Sequence, residues 1–207
     1  RDLVVDLSNV KAVKGKSHYE MPSGSVDFGG RANLAMDAVV TSPAFDVRDF
    51  LSLWHMEDDT RFAEIEGTFS TRSNVHVALG GPQDKCGTGF IDVDAHARVS
   101  DMTLFGERFD DGDLDLDYEW TDRDAGLYGA NVEIHSFNLR KLRKSGVGGS
   151  LLGTASLDKG KVSGNVVIQS IPLTKVQTLG KIGQKLEATA SGFARFTGNV
   201  DEWAIEG

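Results

Sequence analysis

The alternation of side chains in this sequence indicates an all-β protein with a few short helices. The clearest run covers residues 112–120, where Leu114, Leu116, Tyr118 and Trp120 fall on one face of an extended strand and a row of carboxylates falls on the other. Glycine is abundant at 24 residues while proline is scarce at 4, and the glycines lie between alternating runs, where we expect turns. Each predicted strand therefore has one apolar face and one polar face.

The first half of the chain contains alternating runs that predict strands, because a strand places every second side chain on the same face. In one such run Ile91, Val93, Ala95, Ala97 and Val99 alternate with polar residues. The predicted strands of this half cover residues 3–7, 25–28, 32–40, 64–70, 74–79, 89–100 and 102–105.

The second half of the chain continues the same pattern. Tyr128, Ala130, Val132 and Ile134 alternate with polar residues, and the run at 186–196 places small apolar residues on one face, so that this face is thinly covered. The predicted strands of this half cover residues 113–120, 127–136, 150–157, 161–169, 186–197 and 202–205.

Three segments break the alternation with a helical spacing, apolar-x-apolar-x-x-apolar, at residues 45–53, 137–142 and 171–179. Each precedes a strand rich in glycine and small residues, at 65–70, 150–155 and 189–194. The recurrence suggests internal repeats with units 31–136, 137–170 and 171–207, within one repeated β domain that spans 1–207. The alternative is that an all-β protein of this size contains three such matches by chance.

Composition limits the classes of function. The net charge is −9, and the longest basic stretch is residues 140–144, so the chain lacks the basic surface that a nucleic-acid binder needs.

The single cysteine, Cys86, cannot form an internal disulfide, and we expect it to be a small buried or loop residue. No apolar run approaches the roughly 20 residues of a membrane-spanning helix. Because the sequence starts at Arg1, we expect a fragment whose targeting signals lie elsewhere.

An acidic row at residues 110–117 superficially resembles a calcium loop, because carboxylate oxygens suit that ion. The row lacks the glycine and the bidentate acid that an EF-hand requires at its sixth and twelfth positions. The acids alternate with Leu114 and Leu116, which is typical of the polar face of a strand. We therefore predict no specific calcium site.

No catalytic or cofactor motif is present in the sequence. The glycine-rich stretch at 146–153 has no P-loop lysine, and the chain contains no Gly-x-Ser-x-Gly elbow. Paired carboxylates are expected on any acidic sheet and do not indicate a glycosidase. No two histidines show the spacing of a helical zinc motif, and each is interpreted as a solvated or hydrogen-bonded strand residue: His18, His55, His76, His96 and His135. We predict no catalysis, no metal and no cofactor.

Residues 45–53 leading into 65–69, and residues 171–179 leading into 190–200, resemble the repeated β region of the TamB and AsmA-like proteins of the Gram-negative envelope. In that family a short apolar helix commonly precedes a strand with small residues and glycine, followed by a Gly-x-Val/Leu turn. The resemblance covers most of residues 31–207. It implies a long curled antiparallel sheet, a β-taco or open half-barrel groove, whose concave face is apolar, as in bridge-like lipid transfer proteins.

The resemblance also implies a function. It implies a non-enzymatic periplasmic segment that serves phospholipid transport or outer-membrane protein assembly between the inner and outer membranes. The implied partners are phospholipid acyl chains or unfolded outer-membrane protein strands, and an outer-membrane barrel protein bound through regions outside this sequence. The whole protein is expected to be anchored to the inner membrane by a segment not present here. The residues expected to line the groove are Leu114, Leu116, Tyr118, Trp120, Val132, Ile134, Val166, Ile168, Ala190 and Phe196.

The alternative is a closed β-sandwich or jelly-roll module that binds a ligand such as carbohydrate. In that architecture the same apolar faces pack against each other and the polar face carries exposed aromatic residues. Trp54, Trp120 and Trp203 show no shared face in sequence, which weakens the carbohydrate version. The open sheet further predicts unpaired edge strands and edge-to-edge association of the isolated chain.

Overall fold

The structure is a computed structural model that describes residues 3–29, 34–53, 63–104, 106–122, 124–143, 146–176 and 188–206. These residues form eleven strands, one α-helix, α1 (Val47–Leu53), and two short 3-10 helices (Gly126–Gly129 and Leu173–Lys175). No helix among the described residues is long and apolar enough to cross a membrane. The strands are β1 (Val4–Lys14), β2 (Ser17–Asp27), β3 (Leu34–Asp46), β4 (Ile65–Leu79), β5 (Phe90–Leu104), β6 (Glu107–Trp120), β7 (Ala130–Arg143), β8 (Gly146–Asp158), β9 (Lys161–Pro172), β10 (Thr189–Asn199) and β11 (Glu202–Glu206).

All eleven strands belong to one antiparallel sheet, in which their spatial order is their order in the chain. Each strand pairs only with its chain neighbours, and β1 and β11 form the two edges, so the sheet is open and does not close into a barrel. This confirms the predicted class, an all-β protein with a long open antiparallel sheet. The closed sandwich is wrong for the described residues, because no second sheet is present to pack on the first.

Several predicted strand bounds are corrected. The strands predicted at 64–70 and 74–79 are the single strand β4. Thr71 and Ser73 place polar side chains on the side of the sheet that is otherwise apolar, so the strand continues although the alternation of apolar residues is interrupted. The strands predicted at 89–100 and 102–105 are the single strand β5, which passes through Asp101 at a positive φ of 54°. Other strands extend beyond their predicted ends, because hydrogen bonding continues where the alternation weakens.

The three predicted helical segments have three outcomes. The segment at 45–53 contains α1, as predicted. The segment at 171–179 contains only the 3-10 helix at Leu173–Lys175, and residues 177–187 lie outside the described residues. The helix at 137–142 is wrong, because these residues lie inside β7. The predicted unit boundaries at 136/137 and 170/171 thus fall within β7 and β9, and the repeat units stay a prediction.

A β-bulge explains why the sequence around residue 137 resembles a helix. The register shifts between Ile134 and Phe137, which pair with Ala155 and Gly153 and therefore lie on the same side of the sheet although they are three residues apart. A similar shift places Ile168 and Ile171 on one side of β9. Apolar spacing of three in this chain is therefore produced by bulges as well as by helices.

The densest packing lies at the end of the sheet next to α1. Phe69, Ala97, Val99, Phe109 and Leu139 form a buried cluster. These residues come from four consecutive strands. Phe69, Val99 and Leu139 belong to one row of paired residues through Gly112, and Phe109 joins them through its pair Met102, beyond the positive φ of Asp101. Val47 in α1 also packs against this cluster. Among the described residues this cluster is the main core.

Asp49 connects α1 to the hairpin between β1 and β2 through hydrogen bonds. Its Oδ2 atom accepts hydrogen bonds from the backbone N–H groups of Lys16 and Ser17, at 2.8 and 3.0 Å, and from Ser17 Oγ at 2.8 Å. A Cβ on Gly15 would lie 2.0 Å from Asp49 Oδ1, and the φ of Gly15 is +56°, so glycine is required at this turn. The helix is thereby held over the end of the sheet that carries the core.

The expectation that glycine marks turns is confirmed at Gly15, Gly106 and Gly160, which lie between strands with positive φ, but other glycines lie inside strands. Gly153 in β8 faces the ring of Phe137, and Gly164 in β9 faces the ring of Phe196, which a Cβ would approach to 2.7 and 2.3 Å. Aromatic rings of the neighbouring strand therefore cover these glycines, and a side chain at either position would collide with a ring and with a backbone carbonyl.

We expect Gly164→Ala to lower the free energy of unfolding by about 1–3 kcal/mol, the usual cost of overpacking. The physical reason is the 2.3 Å approach of the new Cβ to Phe196 Cζ and its 2.5 Å approach to the carbonyl oxygen of Thr154. Urea unfolding followed by circular dichroism measures the change. Gly192→Ala is the matched control, because a Cβ at that strand position meets nothing within 4 Å. Equal effects of the two substitutions would contradict the packing argument.

Candidate functional site

The register brings all ten predicted groove residues to the same side of the sheet. Leu116 pairs with Ile134 and Tyr118 with Val132, and the remaining positions follow through the pairs that link β7 to β10. Each of the ten side chains is half-buried. Two rows across β6 to β10 contain five of them, namely Leu114–Phe137–Gly153–Val166–Ala194 and Leu116–Ile134–Ala155–Gly164–Phe196.

The same side of the sheet is apolar from one edge almost to the other, and we call it the apolar face. One row of directly paired residues crosses ten strands, and the hydroxyl of Tyr118 is its one polar side-chain group. It consists of Leu7, Gly24, Ala38, Val75, Val93, Tyr118, Val132, Leu157, Val162 and Gly198. At about 4.8 Å between neighbouring strands, this row is roughly 43 Å long.

The opposite side, the polar face, has the inverse composition. The adjacent row of paired residues crosses the same ten strands without an apolar side chain. It consists of Asp6, Ser25, Asp37, His76, Asp92, Glu119, Asn131, Asp158, Lys161 and Asn199. The two faces of the sheet are therefore separated by polarity along the whole meander.

The apolar face is largely uncovered. The accessible surface of the chain is 12614 Å², whereas a compact monomer of 22.4 kDa exposes roughly 9,400 Å². Fully buried large apolar side chains among the described residues are limited to Leu51, Phe69, Val99, Phe109, Leu139 and Ile171. Most of these lie in or beside the core under α1. Away from that end, no described element packs on the apolar face, so its side chains stay available to a ligand.

A buried ion pair closes one end of the apolar face. The Lys141 ammonium donates hydrogen bonds to Glu107 Oε2 at 3.1 Å and to the carbonyl oxygen of Arg108 at 2.9 Å, and it lies 4.9 Å from the centre of the Phe109 ring. Lys141 is only 4% exposed. Since buried charges require a partner, the Glu107 carboxylate and the Arg108 carbonyl offset the burial of the Lys141 charge beside the core residue Phe109.

Two surface depressions are lined mainly by residues of the polar face. The larger, of about 500 Å³, spans β2 to β5 and includes Asp37, Asn74, His76 and Asp92. The smaller, of about 330 Å³, spans β5 to β9 and is lined mainly by acids and amides.

Histidine–carboxylate pairs cross the strands of the polar face. His76 Nδ1 lies 2.7 Å from Asp37 Oδ1, and His135 Nε2 lies 2.8 Å from Asp117 Oδ2. His96 forms the same kind of pair with Asp115. The hydrogen bonds to Asp37 and Asp117 raise the pKa values of His76 and His135 respectively, because each carboxylate favours the protonated imidazole.

The remaining histidines and the acidic residues form no metal site in the described part of the chain. His18 lies exposed on β2, and His55 is outside the described residues. The predicted acidic row lies on β6, where Asp113, Asp115 and Asp117 share the polar face. Burial raises the pKa of Asp92, and the neighbouring carboxylate of Glu119 adds to the effect. Within the described part of the chain, no three His, Cys, Asp or Glu side chains converge as a metal site.

Cys86 lies exposed in the loop between β4 and β5. The loop is organised by Asp84, whose carboxylate accepts hydrogen bonds from the backbone N–H groups of Gly80 at 2.7 Å and Gly89 at 3.0 Å. These bonds hold the pKa of Asp84 below its usual value, against the opposing effect of burial. Of the two predicted environments of Cys86, a buried position and a loop, the structure shows the loop.

The comparison with known proteins gives no family. No protein-family model, no curated protein and no solved structure matches this chain. The functional argument therefore depends on the two faces of the sheet.

We expect His76 and His135 to titrate above the value of about 6.5 for an unperturbed imidazole. Asp37→Asn should lower the pKa of His76 and leave that of His135 unchanged, and Asp117→Asn should do the reverse. Because the folded pKa values are raised, the pairs stabilise the fold fully below about pH 6.5, and this stability is lost as the pH rises through the raised values. NMR titration of the imidazole protons tests this, and a native His76 pKa at or below 6.5 would contradict it.

Proposed function

We propose that this chain is a non-enzymatic segment of a TamB/AsmA-like protein of the Gram-negative envelope, and that its apolar face shields phospholipid acyl chains on their way between the inner and outer membranes. The single observation that carries the proposal is the uninterrupted row of apolar and glycine positions across ten strands, on a face that no second layer covers in the described part of the chain. Exposed apolar surface of this extent usually marks an interaction site.

The dimensions of the apolar face suit acyl chains. One leaflet of a bilayer contributes about 15 Å of the roughly 30 Å hydrocarbon core, so a row of roughly 43 Å is longer than a single acyl chain. Because the row contains no charged side chain and its one hydroxyl belongs to the aromatic Tyr118, an acyl chain meets no charged barrier as it moves from strand to strand. A surface without internal barriers is what a carrier of apolar chains requires.

The chemistry of the face also suits a ligand with a variable structure. It offers rings and aliphatic side chains, such as Leu116, Ile134 and Phe196, interrupted by glycines that leave shallow gaps. Among the described residues, its hydroxyl groups at Ser42, Thr71 and Ser73 are hydrogen-bonded to one another or to the backbone and do not select one headgroup. The acidic polar face, with a chain net charge of −9, keeps the sheet in solution and repels anionic headgroups from the wrong side.

This proposal includes the location of the protein. A carrier that bridges two membranes acts in the periplasm, and in the full-length protein an inner-membrane anchor and the contact with an outer-membrane barrel protein would come from regions outside residues 1–207. An unfolded outer-membrane protein strand is the second occupant that the resemblance implied. It differs from a lipid because it would also use backbone hydrogen bonds at the sheet edges.

Val166 and Val167 allow a test with a closely matched control. The two valines are adjacent in β9, and Val166 belongs to the apolar face whereas Val167, 37% exposed, belongs to the polar face. We expect Val166→Asp to reduce binding of a photoreactive phosphatidylethanolamine at least fivefold, because it places a charge in the acyl path. Val167→Asp makes the same chemical change on the other face and should bind as the unmodified chain does. Crosslinking yield and native mass spectrometry measure the binding.

A photoreactive amino acid at either position provides a second reading that does not require a destabilising charge. Crosslinks to phospholipid from position 166 and not from position 167 would support the proposal. Equal crosslinking from both positions, or a lipid-free protein that takes up none of the probe, would overturn it. Crosslinks from position 166 to an unfolded outer-membrane protein, with none to lipid, would assign the face to that partner instead.

A further inference from the structure

Regular strand pairing stops along one line across the sheet. The last row of residues that is paired without interruption crosses six strands and consists of Thr68, Ser100, Asp111, Arg140, Ser150 and Gln169. We call the residues directly beyond this row the break line, and they are Gly67, Asp101, Asp110, Lys141, Gly149 and Ser170. Asp101, Gly149 and Ser170 have positive φ values of 54°, 110° and 49°. The strands β4 to β9 thus leave the regular ladder at the same level.

Beyond the break line the sheet separates into hairpins. β5 and β6 stay paired, for example at Met102 and Phe109, and Ile65 and Glu66 of β4 stay paired with β5. The pairing of β6 with β7, in contrast, ends at the last regular row among the described residues. We call residues 102–104 and 106–109 the finger. The ladder holds this hairpin on its β4 side and not on its β7 side.

The finger covers the buried core at this end of the apolar face. Phe109 is 5% exposed and belongs to the same cluster as Val99 and Leu139. Met102 and Leu104 of the finger pack against that cluster. Val99 and Leu139 themselves lie before the break line, on the side of the sheet that forms the apolar face. A movement of the finger would therefore add these two residues to the uncovered apolar surface.

We propose that the finger is a gate at this end of the apolar face, which turns about the break line and uncovers Val99 and Leu139 when it opens. The proposal goes beyond the shielding of acyl chains and holds for any apolar occupant. It depends on three features of the described residues, which are the one-sided pairing of the finger, the backbone of the break line, and a buried ion pair that holds the finger closed.

The break line provides a hinge position in each of the strands that carry the finger. In β4, Gly67 has no side chain, and a Cβ there would lie 3.2 Å from Met102 Cα, so the two strands approach closely. In β5, Asp101 adopts the left-handed conformation, which aspartate tolerates better than most residues. In β6, the Asp110 carboxylate lies 3.8 Å from Arg108 Nε, and Arg108 also pairs with Asp101. A few such positions are sufficient to absorb the movement of a hairpin.

Lys141 holds the finger where the ladder is missing. Its ammonium reaches from the break line of β7 to two acceptors of the finger, Glu107 Oε2 at 3.1 Å and the carbonyl oxygen of Arg108 at 2.9 Å. Lys141 is only 4% exposed, and a buried ammonium that loses its carboxylate is costly. The contact is therefore either complete or broken, which gives the finger a closed and an open state.

Removal of the Glu107 charge tests the gate. In Glu107→Gln the buried ammonium of Lys141 loses its counter-charge, and we expect the amide hydrogens of residues 102–104 and 106–109 to exchange roughly tenfold faster. Exchange in residues 91–99, on the other side of the break line, should stay within about twofold of its rate in the unmodified chain. Hydrogen exchange with detection by mass spectrometry measures both segments in the same sample.

Glu20→Gln is the matched control, because it makes the same chemical change at a second Glu–Lys pair. Glu20 lies 3.0 Å from Lys11, and both side chains are exposed. This variant should leave exchange of the finger unchanged, because an exposed pair contributes little. Equal acceleration of the finger and of residues 91–99 in Glu107→Gln would indicate a loss of overall stability and would overturn the proposal. So would an unchanged finger, or an equal effect of Glu20→Gln.

Asp101→Val tests the hinge separately, because a β-branched side chain disfavours the positive φ of this position. We expect roughly fivefold faster exchange of the finger. Asp101→Gly, which accepts a positive φ, should exchange as the unmodified chain does. Ser100→Val is the matched control at the exposed neighbouring position in the last regular row, where valine suits a strand. An effect of Ser100→Val as large as that of Asp101→Val would contradict the hinge.

Binding of the neutral dye Nile red measures what the opening uncovers. Glu107→Gln should bind the dye more tightly than the unmodified chain and Glu20→Gln do, because Val99 and Leu139 become accessible. Faster exchange of the finger without tighter dye binding would overturn the gate, because the opening would then uncover no apolar surface. The dye and the exchange rates report on the gate whether or not the chain binds phospholipid, so a failure of the gate is distinguishable from a failure of the proposed function.

Discussion

The phase of strand pairing, which sets the side of the sheet on which each residue lies, is the constraint on which the rest of this structure depends. Each strand is bonded only to its chain neighbours, so the side of the sheet on which a residue lies is passed from one hairpin to the next. A slip of one residue in any hairpin would exchange the faces of every later strand relative to the earlier ones. The rows through Tyr118 and Glu119 show that the phase is kept across ten strands. The separation of an apolar face from a polar face follows from this alone.

The bulges show how the phase survives irregularity. At Ile134 and Phe137, and again at Ile168 and Ile171, one extra residue is inserted and the next apolar side chain still reaches the apolar face. The apolar residues are spaced by three at these points, so the pattern of the sequence matches the bulge. Bulges also increase the local twist of the sheet. The chain therefore gains curvature without losing the polarity of its faces.

Sequence alternation was sufficient to predict the fold class and the common face of all ten proposed groove residues, from Leu114 to Phe196. It could not predict the bulges, because spacing by three at Phe137 is equally typical of a helix, and only the pairing with Gly153 distinguishes the two. It also misassigned strand glycines such as Gly164, because the ring that covers a glycine belongs to another strand.

An open sheet of this kind has an unusual balance of stabilising interactions. Its buried cluster around Val99 is small, and most of its cohesion comes from hydrogen bonds and cross-strand contacts between residues that are close in sequence. The hydrophobic free energy of the uncovered apolar face is thus not used by folding itself. Any occupant that covers this face only in the folded state raises the stability of the sheet in proportion to the logarithm of its concentration over its dissociation constant. Binding of an occupant and folding are then coupled equilibria, and the apolar residues that folding leaves uncovered provide the free energy of binding.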